Sequence, residues 1–302
     1  MKLSVDQLIR TVPAADIDAA LALYAATPLG HGPRNADELR EVRIGRKAAT
    51  VDESAADDIV EADGRQVSVR IIRPTDGSPA GVYLDIHGGG FYMDSAARGD
   101  ARNRQLADTL GVAVVSVDYR LAPENPWPAA PDDCETAALW LVENAESRFG
   151  TARLAIGGSS AGATLAATTL LRLRDKDIAH RFVGAALQFG TYDLSGRTPA
   201  GRLIADEYFL EAYIGHVADR TLPDISPIYA DVRDLPPILM VIGSSDILLE
   251  DNLAMAARLS AAGTDIDLRV YPASPHGFTS RKTAIAAAAL GDIEYWLEKR
   301  LR

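Results

Sequence analysis

The chain has 302 residues, of which 47% are hydrophobic and 24% are charged, as in ordinary globular proteins. Its formal net charge is −11 and no long basic run offsets it, which argues against a nucleic-acid partner because phosphate would be repelled. It contains no apolar run of about 18 residues and no signal-peptide pattern, so we expect a cytoplasmic protein without a membrane span.

Residues 4–50 are patterned as charged helices, interrupted by a turn-forming stretch at 27–35. Beyond them, short apolar strands alternate with helical segments. This alternation predicts an α/β fold with a mostly parallel central sheet that helices cover on both faces. The predicted strands are 57–62 and 65–74 (a hairpin), 81–86, 112–119, 152–158, 182–189, 236–243 and 265–272, and the predicted helices are 95–111, a segment ending near 149, 161–175, 252–263 and 279–300.

Residues 191–226 break this alternation. The segment is too long for a plain connection and carries helical signals. It therefore predicts an insertion near the carboxyl edge of the sheet, where such loops often serve function.

The stretch Gly158–Gly162 matches G-x-S-x-G with Ser160 at its centre, between a predicted strand and a predicted helix. This context predicts a nucleophile elbow, because glycines on both sides let the strand and the helix approach closely. The neighbouring Ser159 is expected to point away and make local hydrogen bonds. The alternative is a glycine-rich helix start that binds an anion.

A second glycine-rich stretch, His87–Gly90, follows the strand 81–86. The N–H groups of Gly88 and Gly89, together with that of Ala161, are candidates for an oxyanion hole. A flexible turn is the alternative, and His87 itself is expected to be structural rather than a base.

His276 is the candidate base, because it lies in a loop between the last predicted strand and the last helix. Asp246 is the candidate acid, since it is the first carboxylate after strand 236–243 and precedes His276 by 30 residues. Its role would be to orient the imidazole. Glu250 and Asp251 are alternatives that we expect to cap the next helix instead.

Read in chain order, these motifs resemble those of the hormone-sensitive-lipase-like carboxylesterases of the α/β-hydrolase fold. The resemblance rests on HGGGF, DYRLAPENPWPAA, the elbow, GSSDILLED and HGF, and it runs from about residue 55 to the end. It implies a triad of Ser160, Asp246 and His276, and a bracing role for segment 118–124. Ser159 and Ile247 depart from the usual family pattern.

The resemblance further implies a serine carboxylesterase that hydrolyses short- to medium-chain esters through an acyl-enzyme. It implies a small-molecule ester as substrate, no metal or organic cofactor, and a possible homodimer. A helical cap would comprise residues 1–50 and 191–226, over a hydrolase core of residues 51–190 and 227–302.

Six apolar or aromatic residues are candidates for substrate contact, although they could equally form the core of the cap. These residues are Phe91, Tyr92, Tyr208, Phe209, Tyr213 and Ile214.

Two rival functions remain: an amidase or deacetylase acting on a specific metabolite, and a non-catalytic receptor on the same fold. The intact Ser, Asp and His order argues against a receptor, which needs no base.

Overall fold

The computed structural model describes residue 6 and residues 8–27, 30–46 and 51–302. Parts of the predicted N-terminal helical region, including residues 47–50, lie outside the described residues. The strands are β1 (Ala56–Ala62), β2 (Arg65–Ile72), β3 (Val82–Ile86), β4 (Ala113–Val117), β5 (Leu154–Ser159), β6 (Phe182–Gln188), β7 (Ile238–Gly243) and β8 (Ile266–Tyr271), and the helices are α1 (Ala14–Ala26), α2 (Ala36–Gly45), α3 (Asp100–Leu110), α4 (Ala129–Phe149), α5 (Ala161–Asp175), α6 (Pro199–Leu203), α7 (Tyr208–Ile214), α8 (Leu249–Ala261) and α9 (Ala284–Leu301).

The strands form one sheet in the order β1-β2-β4-β3-β5-β6-β7-β8. The six strands from β4 to β8 along this order are parallel, and the β1–β2 hairpin joins β4 in an antiparallel sense. Every residue of β3, β4 and β7 is buried, because helices pack on both faces. The predicted α/β fold class is therefore confirmed.

Separate apolar clusters lie on the two faces of the sheet. One contains side chains of α4, α5 and α8, and the other contains side chains of α3 and α9. Helix α1 packs on α9, while α6 and α7 form within the segment 191–226.

The predicted starts of three helices are corrected. Helix α3 begins at Asp100 rather than at 95, because Ala96–Gly99 form a short 3-10 turn before it. Helix α8 begins at Leu249, three residues before the predicted start. Helix α9 begins at Ala284 rather than at 279, because Phe278–Ser280 form a short 3-10 turn and the Thr283 side chain caps the helix by accepting from the Ala286 N–H. Among the described residues, none of the helices is both long and apolar enough to cross a membrane.

Candidate active site

Ser160 lies on a sharp turn between β5, which ends at Ser159, and α5, which begins at Ala161. Its backbone has φ 54° and ψ −121°, a strained conformation for a residue with a side chain and one expected of a nucleophile elbow. The Ser160 N–H donates to the carbonyl of Gln188 at 2.9 Å, which ties the turn to β6.

Two glycines let β3 approach this turn. A Cβ atom on Gly158 would lie 2.3 Å from the carbonyl oxygen of Ile86, and one on Gly162 would lie 2.0 Å from the same oxygen. No side chain fits at such distances from the backbone. The packing of β3 against the turn therefore dictates glycine at both positions.

The structure brings Ser160, His276 and Asp246 together from the ends of three strands. Ser160 Oγ lies 2.9 Å from His276 Nε2, and His276 Nδ1 lies 3.0 Å from Asp246 Oδ2 and 3.2 Å from Oδ1. The Asp246 side chain is fully buried and also accepts a hydrogen bond from the Leu248 N–H at 2.9 Å. A hydroxyl, a base and an orienting carboxylate in this order can generate a nucleophile.

Two residues at the end of β6, which sequence reasoning missed, support the imidazole and its loop: Gln188, the last residue of the strand, and Phe189, which follows it. The Phe189 ring meets the ring of His276 edge-on, with 5.1 Å between the centroids. Gln188 Oε1 accepts from Thr279 Oγ1 at 3.1 Å and so holds the loop that follows His276. The sequence signal that could have identified Gln188 and Phe189 is their position at the end of a strand next to the elbow strand.

The two alternative acids lie elsewhere. Glu250 is exposed, and Asp251 is buried and accepts a hydrogen bond from Thr198 Oγ1 at 3.0 Å. Burial raises the pKa of Asp251 to about 6. Both residues lie in the first turn of α8, as expected, but neither caps it through a hydrogen bond, because the helix has no side-chain cap at Leu248 and Asp251 contacts Thr198 of the inserted segment instead.

The loop at Gly88 and Gly89 presents backbone to the site. Gly89 has φ 108°, and a Cβ atom there would lie 2.3 Å from the carbonyl oxygen of Met93. The backbone N–H groups of Gly88, Gly89 and Ala161 have no backbone acceptor among the residues that the structure describes. They are therefore available to an incoming oxygen atom.

Segment 118–124 supports this loop from below. The Tyr119 hydroxyl lies 3.0 Å from the carbonyl oxygen of His87 and 3.2 Å from that of Gly88, so it can donate to either, and the Ala122 N–H donates to the Phe91 carbonyl at 3.0 Å. The His87 ring stacks on Tyr119 at 4.1 Å, and its Nδ1 lies 2.7 Å from the Gly88 carbonyl. Burial lowers the pKa of His87, which favours the neutral ring that packs as part of this support.

Ser159 does not turn away from the site as expected. It borders the same cavity as Ser160, and its Oγ would lie 3.3 Å from a Cβ atom on Gly88. The reason is that β5 runs directly alongside β3, so the last residue of β5 abuts the glycine-rich loop.

A cavity of about 660 Å³ lies beside Ser160 and His276. Of the six candidate contact residues, Tyr92 and Phe209 border it. The other four do not border it, which corrects their assignment to the pocket: Phe91, Tyr208, Tyr213 and Ile214.

Packing explains the correction. The rings of Phe91 and Tyr213 stack at 4.1 Å with parallel planes, and both side chains are buried. Ile214 is fully buried, and Tyr208 meets Tyr92 edge-on with 6.4 Å between ring centroids. These residues join the inserted segment to the core, which is the alternative role that the sequence left open.

Four charged residues also border the cavity, and sequence reasoning missed all of them: Arg46, Asp94, Arg102 and Glu207. They lie in helix ends and loops without a recognisable motif. Within the part of the chain that the structure describes, no three His, Cys, Asp or Glu side chains are grouped so as to hold a metal ion.

Comparison with known proteins then gives the family. A family model described as the α/β hydrolase fold matches residues 83–280. The ethyl acetate hydrolase of Pseudomonas putida is 35% identical over 247 residues, which are 76% of this chain and 76% of that protein. The chain belongs to the hormone-sensitive-lipase-like carboxylesterases.

Other relatives agree with this assignment. The carboxylic ester hydrolase LipN of Mycobacterium tuberculosis is 31% identical over 76% of this chain, a match that spans 65% of LipN itself. Esterase LipW from Mycobacterium marinum superposes with a TM-score of 0.81 at 30% identity, covering 96% of this chain and 98% of LipW. A bacterial heroin esterase gives a TM-score of 0.82 at 25% identity, covering 99% and 100% of the two chains. The expected family and the enzyme class, a carboxylic ester hydrolase, are confirmed for this carboxylesterase.

Proposed function

We propose that this carboxylesterase hydrolyses short- to medium-chain esters through an acyl-enzyme on Ser160. The observation that carries the proposal is the continuous hydrogen-bonded chain from Ser160 Oγ through His276 to Asp246. Each residue in the chain meets the geometric requirement for its role, because the heavy-atom distances lie within hydrogen-bond range.

Ser160 Oγ attacks the ester carbonyl carbon while its proton passes to His276 Nε2. The C–O bond to the alcohol then breaks, and His276 returns the proton to the leaving oxygen. A water molecule repeats the sequence on the acyl-enzyme and releases the acid. Asp246 accepts from Nδ1–H throughout, which fixes the tautomer and stabilises the imidazolium without taking the proton.

The negative oxygen of each tetrahedral intermediate lies, in this proposal, among the N–H groups of Gly88, Gly89 and Ala161. Removing one such donor typically lowers kcat by about 10²- to 10³-fold in comparable sites. Three features support the assignment: the glycines leave room for the oxygen, the N–H groups have no backbone acceptor among the described residues, and Tyr119 holds the loop in place.

A label that reacts with activated serine tests the mechanism. An organophosphonate should modify Ser160 in the wild type, and Ser160→Ala should abolish both labelling and ester hydrolysis. Ser159→Ala is the matched control, and we expect it to keep most of the activity even though Ser159 borders the cavity. Labelling at Ser159, or an inactive Ser159→Ala variant beside an active Ser160→Ala, would overturn the assignment.

The preference for short and medium acyl chains follows from the size and cover of the cavity. A volume of about 660 Å³, shared by the acyl and alcohol parts, suits a small ester. Each methylene that fits should contribute about 0.8 kcal/mol of burial, so kcat/KM should rise with length and then fall. A series of p-nitrophenyl esters from two to sixteen acyl carbons tests this, and a maximum at sixteen would contradict it.

The rival activities have their own tests. Paired ester and amide substrates with the same acyl group distinguish an esterase from an amidase or deacetylase. A receptor would bind esters without turnover, so hydrolysis of any p-nitrophenyl ester by wild type but not by Ser160→Ala excludes it. Cytoplasmic localisation, the homodimer and the boundaries of the two-part cap remain predictions, and light scattering of the purified protein tests the homodimer.

A further inference from the structure

The charges around the catalytic cavity are not matched in pairs. Arg46, at the end of α2, forms an ion pair with Asp94. Arg102, in the first turn of α3, borders the same cavity, yet neither an ion pair nor a side-chain hydrogen bond joins its guanidinium to any residue that the structure describes. Glu207 borders the cavity beside Gly32.

The Arg102 charge also acts on two neighbouring groups. Burial raises the pKa of the Tyr83 phenol and the Arg102 charge opposes that rise. The Tyr83 hydroxyl lies beneath the elbow strand, since a Cβ atom on Gly157 would be 2.3 Å from it. Burial likewise raises the pKa of Glu294 on α9, which Arg102 again opposes, but Glu294 takes its hydrogen bond from Gln105 at 3.0 Å.

Arg102 is thus a half-buried cation at the border of the catalytic cavity, and its side-chain donors have no protein acceptor among the described residues. A guanidinium in a partly enclosed site is best stabilised by an anion, to which it forms short, charge-assisted hydrogen bonds in a planar fork. The cavity is the space through which such an anion reaches it. The Glu207 carboxylate disfavours an anion beside Gly32, which leaves Arg102 as the place for it.

We propose that Arg102 binds an anionic group, in the simplest case a carboxylate, carried by the ester that this enzyme hydrolyses. The inference rests on the proposed function and adds a substrate class to it: half-esters of dicarboxylic acids, or esters of hydroxy acids. In both, a carboxylate several atoms from the scissile bond pairs with Arg102 while Ser160 attacks the ester carbonyl. Arg102 is then the residue that determines specificity for charge.

The experiment compares Arg102→Gln with wild type on matched charged and neutral esters. One arm places the carboxylate in the acyl part, using mono-p-nitrophenyl glutarate against p-nitrophenyl butyrate. The other places it in the alcohol part, using 3-(butyryloxy)propanoate against propyl butyrate. Arg202→Gln makes the same change of net charge at an exposed position that does not border the cavity.

In at least one arm, Arg102→Gln should lower the ratio of kcat/KM for the charged ester over the neutral ester by about tenfold or more. Arg202→Gln should leave that ratio unchanged. The arm that responds identifies which part of the substrate carries the anion. An unchanged ratio in both arms, or equal losses on charged and neutral esters, overturns the proposal. Failure of wild type to hydrolyse even the neutral esters would show instead that the proposed function is wrong, and the inference would fall with it.

Discussion

The residues proposed to do the chemistry and the segments that cover them are held in place differently. Ser160, Asp246 and His276 lie in turns at strand ends, where buried hydrogen bonds fix them to each other and to neighbouring backbone. The segments proposed to cover them contain the short helices α2 and α7, and residues of both segments border the cavity. Substitutions in the first region should therefore alter kcat, and substitutions in the second should alter stability or KM.

The two covering segments also differ from each other. Four of the seven residues of α7 are buried, and Tyr213 stacks on Phe91 of the core. Among the ten residues of α2, which are all described, Leu39 alone is buried. Helix α2 is instead attached through the Arg43 side chain. Apolar packing holds one segment, and hydrogen bonds hold the other.

The largest effect should come from the catalytic edge. Asp246→Asn should lower kcat by about 10⁴-fold, because an amide favours the wrong tautomer of His276. KM and the free energy of unfolding should change little by comparison. Steady-state kinetics with p-nitrophenyl butyrate measure this. Glu250→Gln, in the first turn of the following helix α8, is the control, and a larger loss for Glu250→Gln than for Asp246→Asn would mean that the acid has been misassigned.

This contrast also explains what the sequence could predict. Ser160, Asp246 and His276 were found because parallel strands end at one edge, so motifs that follow strands in the right order converge there. The strand order of the sheet and the antiparallel pairing of β2 with β4 were not predicted, since no local pattern encodes them.

The residues of the proposed cap were harder to assign for a physical reason. Short helices such as α7 do not show by periodicity which side faces the cavity and which faces the core. Tyr213 and Phe209 look equivalent in the sequence, yet Tyr213 is buried against Phe91 and Phe209 borders the cavity. The charged lining at Asp94 and Arg102 depends on tertiary contacts alone.

Removing the Tyr213 ring, which attaches the inserted segment to the core, should have the next largest effect. Tyr213→Ala should lower the free energy of unfolding by about 3 kcal/mol, because it deletes a buried ring stacked on Phe91. Urea denaturation measures the loss. Tyr208→Ala, in the same helix but only partly buried, should cost clearly less. Equal losses would mean that α7 is not anchored through the stack.

The junction between core and cap contains a pair of buried carboxylates. Thr198 Oγ1 lies 2.9 Å from Asp193 Oδ2 and 3.0 Å from Asp251 Oδ2. The single hydroxyl hydrogen of Thr198 can be donated to only one of these carboxylate oxygens, so a second proton is needed between the two carboxylates. Asp193 accepts several other hydrogen bonds, which hold its pKa down against the effect of burial, whereas burial raises the pKa of Asp251 to about 6. Below about pH 6 the proton therefore resides on Asp251 rather than on Asp193.

Asp251→Asn should remove a pH dependence of the free energy of unfolding that arises where Asp251 contacts the inserted segment. The pKa of Asp251 is raised in the folded state, so its protonated carboxyl stabilises the wild type. This contribution to the free energy of unfolding is present in full below about pH 4 and is lost as the pH rises through about 6. The variant cannot ionise. Its free energy of unfolding relative to wild type should therefore rise by about 2 kcal/mol between pH 4 and pH 7. Glu250→Gln should show no such rise, and a flat difference for Asp251→Asn would contradict the assignment.

The smallest expected effect concerns helix α2, the segment that hydrogen bonds of Arg43 attach to the core. The Arg43 guanidinium donates to the Tyr92 carbonyl at 2.7 Å, to the Ala122 carbonyl at 2.6 Å and to Glu124 at 2.7 Å. Because Tyr92 borders the cavity, Arg43→Met should loosen one wall and raise KM about fivefold, with kcat changed less than twofold. Arg40→Met is the matched control on the same helix, since Arg40 pairs with Asp37 on the surface. An equal rise in KM for both variants would show that α2 acts through its overall charge, whereas a fall in kcat for Arg43→Met alone would show that this wall also positions the catalytic loop.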